Sequence, residues 1–246
     1  MKLFSFTVLL LASSLAIAGP IDAKVEAAMA AEGRPEADVD RDRNRMPLQT
    51  LKFLGLEDDM RVLELIPSGG WYTRILAPVL AENGQLYVAL GTGRVRDNIA
   101  PLPGFEDIEI LETTDNMRRP PGARLYTMDD FEFGIDGVDM VLTFRNVHNF
   151  DEAGRMLMHR QAFEALKSGG IYGIVDHTRR HMEPDNNENR RRIDPVLVIK
   201  EVQAAGFEFV DYATLHYRAD DELEYEVGRP SVTGNTDRFT FKFRKP

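Results

Sequence analysis

The 246-residue chain contains no cysteine. Disulfide bridges, thiolate metal sites, a cysteine nucleophile and a lipidated amino-terminal cysteine are therefore excluded. Basic residues are in deficit: 30 Lys and Arg face 40 Asp and Glu, a net charge of −10. That balance argues against a nucleic-acid partner, whose binders carry a basic patch or tail. Long apolar runs are missing too. The stretch Leu3 to Ala12 is short for a membrane-spanning helix and has no basic cluster behind it. There is no internal repeat and no low-complexity tract. What is present, 43% hydrophobic residues over this length, suits a globular chain that can bury a substantial core.

Lys2 precedes the apolar run, and Ala16-Ile17-Ala18 follows it as a small-x-small cleavage site before Gly19. Together these are the parts of a secretory signal peptide over residues 1–18, with an uncleaved signal anchor as the alternative. The expectation is an exported, periplasmic protein with no membrane span after cleavage. Residues 19–45, Ala-rich and then charged, read as an amino-terminal arm with helical pieces. Residues 46–246 read as one domain.

Within that domain two hydrophobic periodicities alternate. Leu48, Leu51 and Leu54 lie on a helix stopped by Gly55. Arg61 to Ile66 is a buried-strand run. Tyr72, Ile75, Leu76, Val79 and Leu80 mark an amphipathic helix that Pro78 should kink or shorten. Gln85 to Leu90, Ile108 to Leu111, Val138 to Phe144 and Ile171 to Val175 are further strands. A helix over 151–167 is expected to present Ala153, Met156, Leu157, Phe163 and Leu166 and to be closed by Ser168-Gly169-Gly170. Asp194-Pro195 opens a last helix that Gly206 ends. Phe239 to Phe243 alternates as an antiparallel strand does. This order predicts a doubly wound, mostly parallel α/β sheet, with ligands beyond the carboxyl ends of the strands.

The strand ends carry the chemistry. Glu64-Leu65-Ile66-Pro67-Ser68-Gly69-Gly70-Trp71-Tyr72 places an acid, a glycine turn and a helix start in succession, the way a nucleoside is cradled. The same residues would also serve as an ordinary strand-to-helix turn. Arg145-Asn146-Val147-His148-Asn149 sets four polar residues behind an apolar strand, and Asp176-His177 closes the next. A histidine there is either a general base near neutral pH or a half-buried partner of a helix cap. Asp176 could orient His148 or His177. His177 and His181, with Asp176 and Glu183, would make a metal site if their segment were helical; nothing else supports a metal.

On these stretches, with Asp40 to Arg45 and Asp237 to Pro246, the chain resembles the class I S-adenosylmethionine-dependent methyltransferases over residues 38–246. More narrowly it is similar to a family of exported predicted methyltransferases. The resemblance implies a Rossmann-like seven-stranded sheet with an antiparallel C-terminal strand. It implies S-adenosylmethionine held by Glu64, Pro67, Ser68, Gly69, Gly70, Trp71, Tyr72 and Gly91. The methyl group would face Arg145, Asn146, His148, Asp176 and His177. Ile66 and Ser68 stand where two motif glycines are usual, and Leu90 where an acid usually holds the ribose. The substrate would be a small molecule, anionic if Arg190-Arg191-Arg192 recognises it. The Arg41–Arg45 run reads as a salt-bridged face or as a segment folded over the cleft. Two other functions fit the same residues: a methyltransferase-like fold repurposed to bind another ligand, and a metal-assisted hydrolase using His148, Asp176 and His177.

Overall fold

A computed structural model describes residues 20–113 and 117–246, so the signal peptide expected over residues 1–18 lies outside the described residues. The described residues open with four helices: α1 (Pro20–Met29), α2 (Glu36–Val39), α3 (Asp42–Arg45) and α4 (Pro47–Leu54). Then follow β1 (Arg61–Leu65), α5 (Thr73–Leu80), β2 (Gln85–Ala89), α6 (Gly93–Asn98) and β3 (Glu109–Ile110). A two-stranded ribbon, β4 (Met117–Arg118) and β5 (Thr127–Met128), precedes β6 (Val138–Phe144). The remainder is α7 (Glu152–Ala165), β7 (Leu166–His177), α8 (Pro195–Ala204), β8 (Glu208–Ala213) and β9 (Arg238–Arg244).

Seven strands form one sheet in the order β3-β2-β1-β6-β7-β9-β8. β1, β2, β3, β6 and β7 run parallel, and β9 is antiparallel to both β7 and β8. This is the doubly wound, mostly parallel sheet expected from the sequence. Alternation along the strands feeds two cores. Val62, Met140 and Leu142 face α4 and α5, while Leu63, Leu65 and Val141 belong to the core under α7 and α8. Helix α1 joins the first of these. Val25 and Ala28 of α1 are buried there, and Lys52 on α4 pairs with Asp22 at 2.5 Å.

Local signals explain the boundaries. Gly55 ends α4 in the left-handed conformation, and the side chains of Asp151 and Asp194 accept from the first-turn N–H groups of Gly154 and Val196. α5 runs through Pro78 and is only eight residues long.

Two expectations are corrected. The helix expected over 151–167 stops at Ala165, because Leu166 pairs with Val138 and Gly169 and Gly170 bond to Lys245. The sheet, not a glycine cap, claims residues 166–170. The buried face of α7 is also turned from the expected one. It carries Arg155, Leu157, Met158, His159 and Ala162, while Ala153 is exposed. Arg155 faces inward because Glu201 on α8 accepts both ends of its guanidinium at 2.7 and 2.6 Å, and His159 bonds Tyr172 at 3.1 Å.

Candidate functional site

The sheet order reverses between β1 and β6, where successive connections leave in opposite directions and open a crevice above the strand ends. Asn146 closes its floor. Its amide donates to the carbonyls of Leu65 (3.2 Å) and Ile66 (3.3 Å), tying the two strand ends together. Around this point the backbone is held in the left-handed region without glycine: Ile66 at φ 53°, Ser68 at 53°, Leu90 at 64° and Arg145 at 67°. For a β-branched residue such as Ile66 this is a genuine outlier, and such strain concentrates where a site is held in shape. The turn therefore adopts at Ile66 and Ser68 the conformation that motif glycines would adopt most easily.

Two adjoining cavities occupy the crevice and share Ile66, Ser68 and Asn146. The first, about 260 Å³, is lined by Glu64, Pro67, Ser68, Gly69, Trp71, Tyr72, Arg145 and Asn146 of the expected residues. The second, about 380 Å³, is lined by Gly91 together with Arg94, Arg119, Tyr126 and Asn149. Gly70 lines neither. Its φ is +74°, and a Cβ there would lie 2.0 Å from Cδ1 of Ile99, so the glycine is required by packing against α6 and its C-terminal residue. Leu90 turns its side chain into the core, 2% exposed, so no carboxylate stands at the end of β2.

Strand alternation puts Glu64 on the α5 side of the sheet, where Thr73 donates to it at 2.6 Å. Burial raises its pKa to about 7, against the lowering effect of Thr73 and of the Arg45 charge. Tyr72 stacks on Phe144 with ring centres 3.5 Å apart, and burial pushes its hydroxyl up to about 12.

His148, Asp176 and His177 meet behind the cavity wall, all buried. Oδ1 of Asp176 lies 2.5 Å from Nδ1 of His148, and its Oδ2 accepts the His148 backbone N–H at 3.1 Å. His177 is committed on both ring nitrogens. Arg145 Nε donates to Nε2 at 3.2 Å, so Nδ1 carries the proton that meets Thr236 Oγ1 at 2.9 Å. Burial, then the charges around it, hold its pKa well below the usual histidine range. The two imidazoles are thus unlike: one is oriented by a carboxylate, the other is locked neutral between Arg145 and Thr236.

The amino-terminal segment reaches the cleft, as one reading of its charged run expects, and adds Asp38, which is not among the expected site residues. Asp38 and Arg45 line the first cavity. Trp71 Nε1 donates to the Asp38 carbonyl at 2.9 Å, and the Arg45 guanidinium sits 4.3 Å from the Trp71 ring centre. In the same run Asp42 takes Arg34 in a two-pronged pair at 2.7 and 2.8 Å. Both readings of the Arg41–Arg45 run hold, for different residues. The Arg190–Arg192 run does not act as a unit: Arg192 is buried on Asp221, Arg191 pairs with Glu226, and Arg190 is exposed. His181 bonds Asp194 at 2.9 Å, and among the described residues no three histidine or acidic side chains converge as metal ligands would.

The fold is that of the class I S-adenosylmethionine-dependent methyltransferases, a seven-stranded sheet with its antiparallel C-terminal strand. Among solved structures, an S-adenosylmethionine-dependent methyltransferase from Aquifex aeolicus is similar with a TM-score of 0.59 at 15% identity, covering 90% of this chain and 97% of that one. The cyclase SpnF is similar at 0.58 and 15% identity over 92% of this chain and 93% of its own. The glycopeptide N-methyltransferase MtfA in complex with sinefungin follows at 0.54 and 13% identity, over 83% and 94%. No protein-family profile and no curated protein matches the sequence.

Proposed function

We propose that the protein is an S-adenosylmethionine-dependent methyltransferase acting on a small molecule. The observation that carries this reading is the crevice at the β1–β6 reversal, where the turn after β1 keeps a glycine-type backbone at Ile66 and Ser68. The residues fit the cofactor. Ile66, Pro67, Ser68 and Gly69 would lie along it, Trp71, Tyr72 and Asn146 would hold one end, and Gly91 with Tyr126 and Asn149 would hold the other. When bound, it supplies an electrophilic methyl group.

The chain's own part is to position the acceptor and take its proton. Asp176 fixes the His148 tautomer by accepting from Nδ1–H, which leaves Nε2 as the basic nitrogen. His148 is accordingly the general base. His177, with both nitrogens engaged, positions Arg145. Placing acceptor and methyl donor in one crevice converts a bimolecular step into a local one, which contributes most of the acceleration. Residues 1–18 have the composition of a leader, so we propose that the protein is exported to the periplasm. No described helix is long and apolar enough to cross a membrane.

A second reading is favoured by Leu90. With no carboxylate at the end of β2, the fold could serve another small ligand, and the similar cyclase has the same architecture. Thermal unfolding with and without millimolar S-adenosylmethionine or S-adenosylhomocysteine separates the two. A ligand at about 100 times its Kd adds roughly 2.7 kcal/mol, which raises the midpoint of a domain this size by about 5–10 °C. A shift of that order supports the methyltransferase; none with either compound makes the repurposed fold the leading reading.

A further inference from the structure

Two arginines that line the first cavity, Arg45 and Arg145, take no carboxylate in a salt bridge, and the charges of Arg41 and Arg238 act on them. Arg41, Arg45, Arg145 and Arg238 come from the amino-terminal segment, the end of β6 and the start of β9. None of the four makes a salt bridge among the described residues. Arg45 donates no side-chain hydrogen bond, and its buried Nε has no partner. Arg238 is only 4% exposed, yet its one side-chain bond is a long one, Nε to the Thr236 carbonyl at 3.4 Å. Arg145 uses Nε alone, on His177. Tyr72 lies at the hub, buried and acted on by the charges of Arg45, Arg238 and Arg145.

A buried guanidinium normally finds a carboxylate, because an unpaired charge away from water is costly. This chain follows that rule elsewhere, at Arg34–Asp42, Arg155–Glu201 and Arg192–Asp221. Here it does not. The acids within electrostatic reach are Asp38 and Glu64, each coupled to Arg45, and Asp176, acting on Arg145; Glu64 is engaged by Thr73 and Asp176 by His148. Burial and then mutual repulsion bring Arg45 down to about 10 and Arg238 to about 9. Planar guanidinium forks from several directions match an oxyanion with several acceptor oxygens.

We propose that Arg45 and Arg145, backed by Arg41 and Arg238, form a receptor for a compact oxyanion of two or more negative charges, such as a phosphate monoester, carried by the methyl acceptor. That the anion belongs to the acceptor rests on the methyltransferase reading; the receptor itself does not.

The probe is inorganic phosphate, compared with chloride at matched ionic strength, by thermal unfolding and calorimetry of the mature protein. Phosphate at ten times its Kd is expected to raise the midpoint by about 3–5 °C. Arg45→Met and Arg238→Met should each weaken phosphate binding about tenfold or more, and Arg45→Lys less than Arg45→Met. Should Arg238→Met fail to fold, the Arg45 pair still reports. S-adenosylhomocysteine should bind with phosphate present. No phosphate effect beyond chloride, or undiminished binding by the Arg45→Met variant, overturns the receptor. Mutual exclusion of phosphate and S-adenosylhomocysteine overturns the acceptor assignment, since the arginines would then hold the cofactor's own carboxylate. Phosphate binding without any S-adenosylhomocysteine binding sinks the methyltransferase reading and leaves the receptor standing.

Discussion

The carboxylate of Asp176 holds His148 by two contacts, side chain to Nδ1 and side chain to backbone N–H, while its Oδ1 also accepts the N–H of His177. An acceptor-only carboxylate in this position dictates which imidazole nitrogen keeps its proton. Removing it frees the ring. In Asp176→Ala, Nδ1–H loses its acceptor and the proton is no longer held on that nitrogen. We expect methyl transfer to fall by about 100- to 10,000-fold. Nitrogen-15 NMR of the imidazole, read in both proteins, should show Nδ1 protonated in the parent and a mixture of tautomers in the variant; a parent protonated on Nε2 would refute the assignment of His148.

Glu64 predicts a pH dependence. Its folded pKa of about 7 lies above the ordinary carboxylate value, and burial is the chief cause. The folded state therefore holds a proton that the unfolded state releases between about pH 4.5 and 7, and stability from this group falls as pH rises through that window. Above pH 7 the full cost, about 3 kcal/mol, is present. Glu64→Gln should remove that slope and be the more stable protein at pH 8. Urea titrations of both proteins at pH 5, 6, 7 and 8 measure the difference, and parallel curves would count against a raised pKa.

At the turn, Gly70 is needed by Ile99. Gly70→Ala should cost about 2–4 kcal/mol, combining overpacking with a left-handed alanine. In an Ile99→Ala background the same change should cost only about 1 kcal/mol. The double-mutant cycle thus carries a favourable coupling. Additive costs would mean that the close approach to Ile99 is not what excludes a side chain.

Arg155 and Glu201 join α7 to α8 through a buried, two-pronged pair. Arg155→Met alone, or Glu201→Gln alone, should destabilise by about 3–5 kcal/mol, because each leaves its partner's polar groups buried without a match. Replacing both with apolar residues should recover most of the loss. Denaturant midpoints of the two single variants and the double variant decide it.

Much of the fold is determined by the sequence itself. β1, β2, β6, β7 and β9 follow from runs of two-residue periodicity or continuous burial, and α4, α5 and α8 from their apolar spacing and caps. These signals are local, written within a few residues by which side chains must avoid water. β8 escaped that reading because, at the sheet edge, most of its residues are exposed and no alternation marks it. The face of α7 escaped it too, since Arg155 is inside only because Glu201 on another helix meets it.

The site divides along the same line. The turn after β1, Asn146, His148 and Asp176 are visible in sequence as polar or glycine residues at the ends of apolar strands. Their unlike roles are not. Whether an imidazole is oriented as a base or locked neutral depends on partners 28 and 59 residues away, Asp176 for His148 and Thr236 for His177. The arginine cluster is further still from any local pattern. Arg41 and Arg238 are far apart in sequence, and only the packing of the amino-terminal segment against the sheet that holds β9 brings their charges together. Periodicity encodes which face of an element is buried; which charges share one crevice is set by how the elements pack.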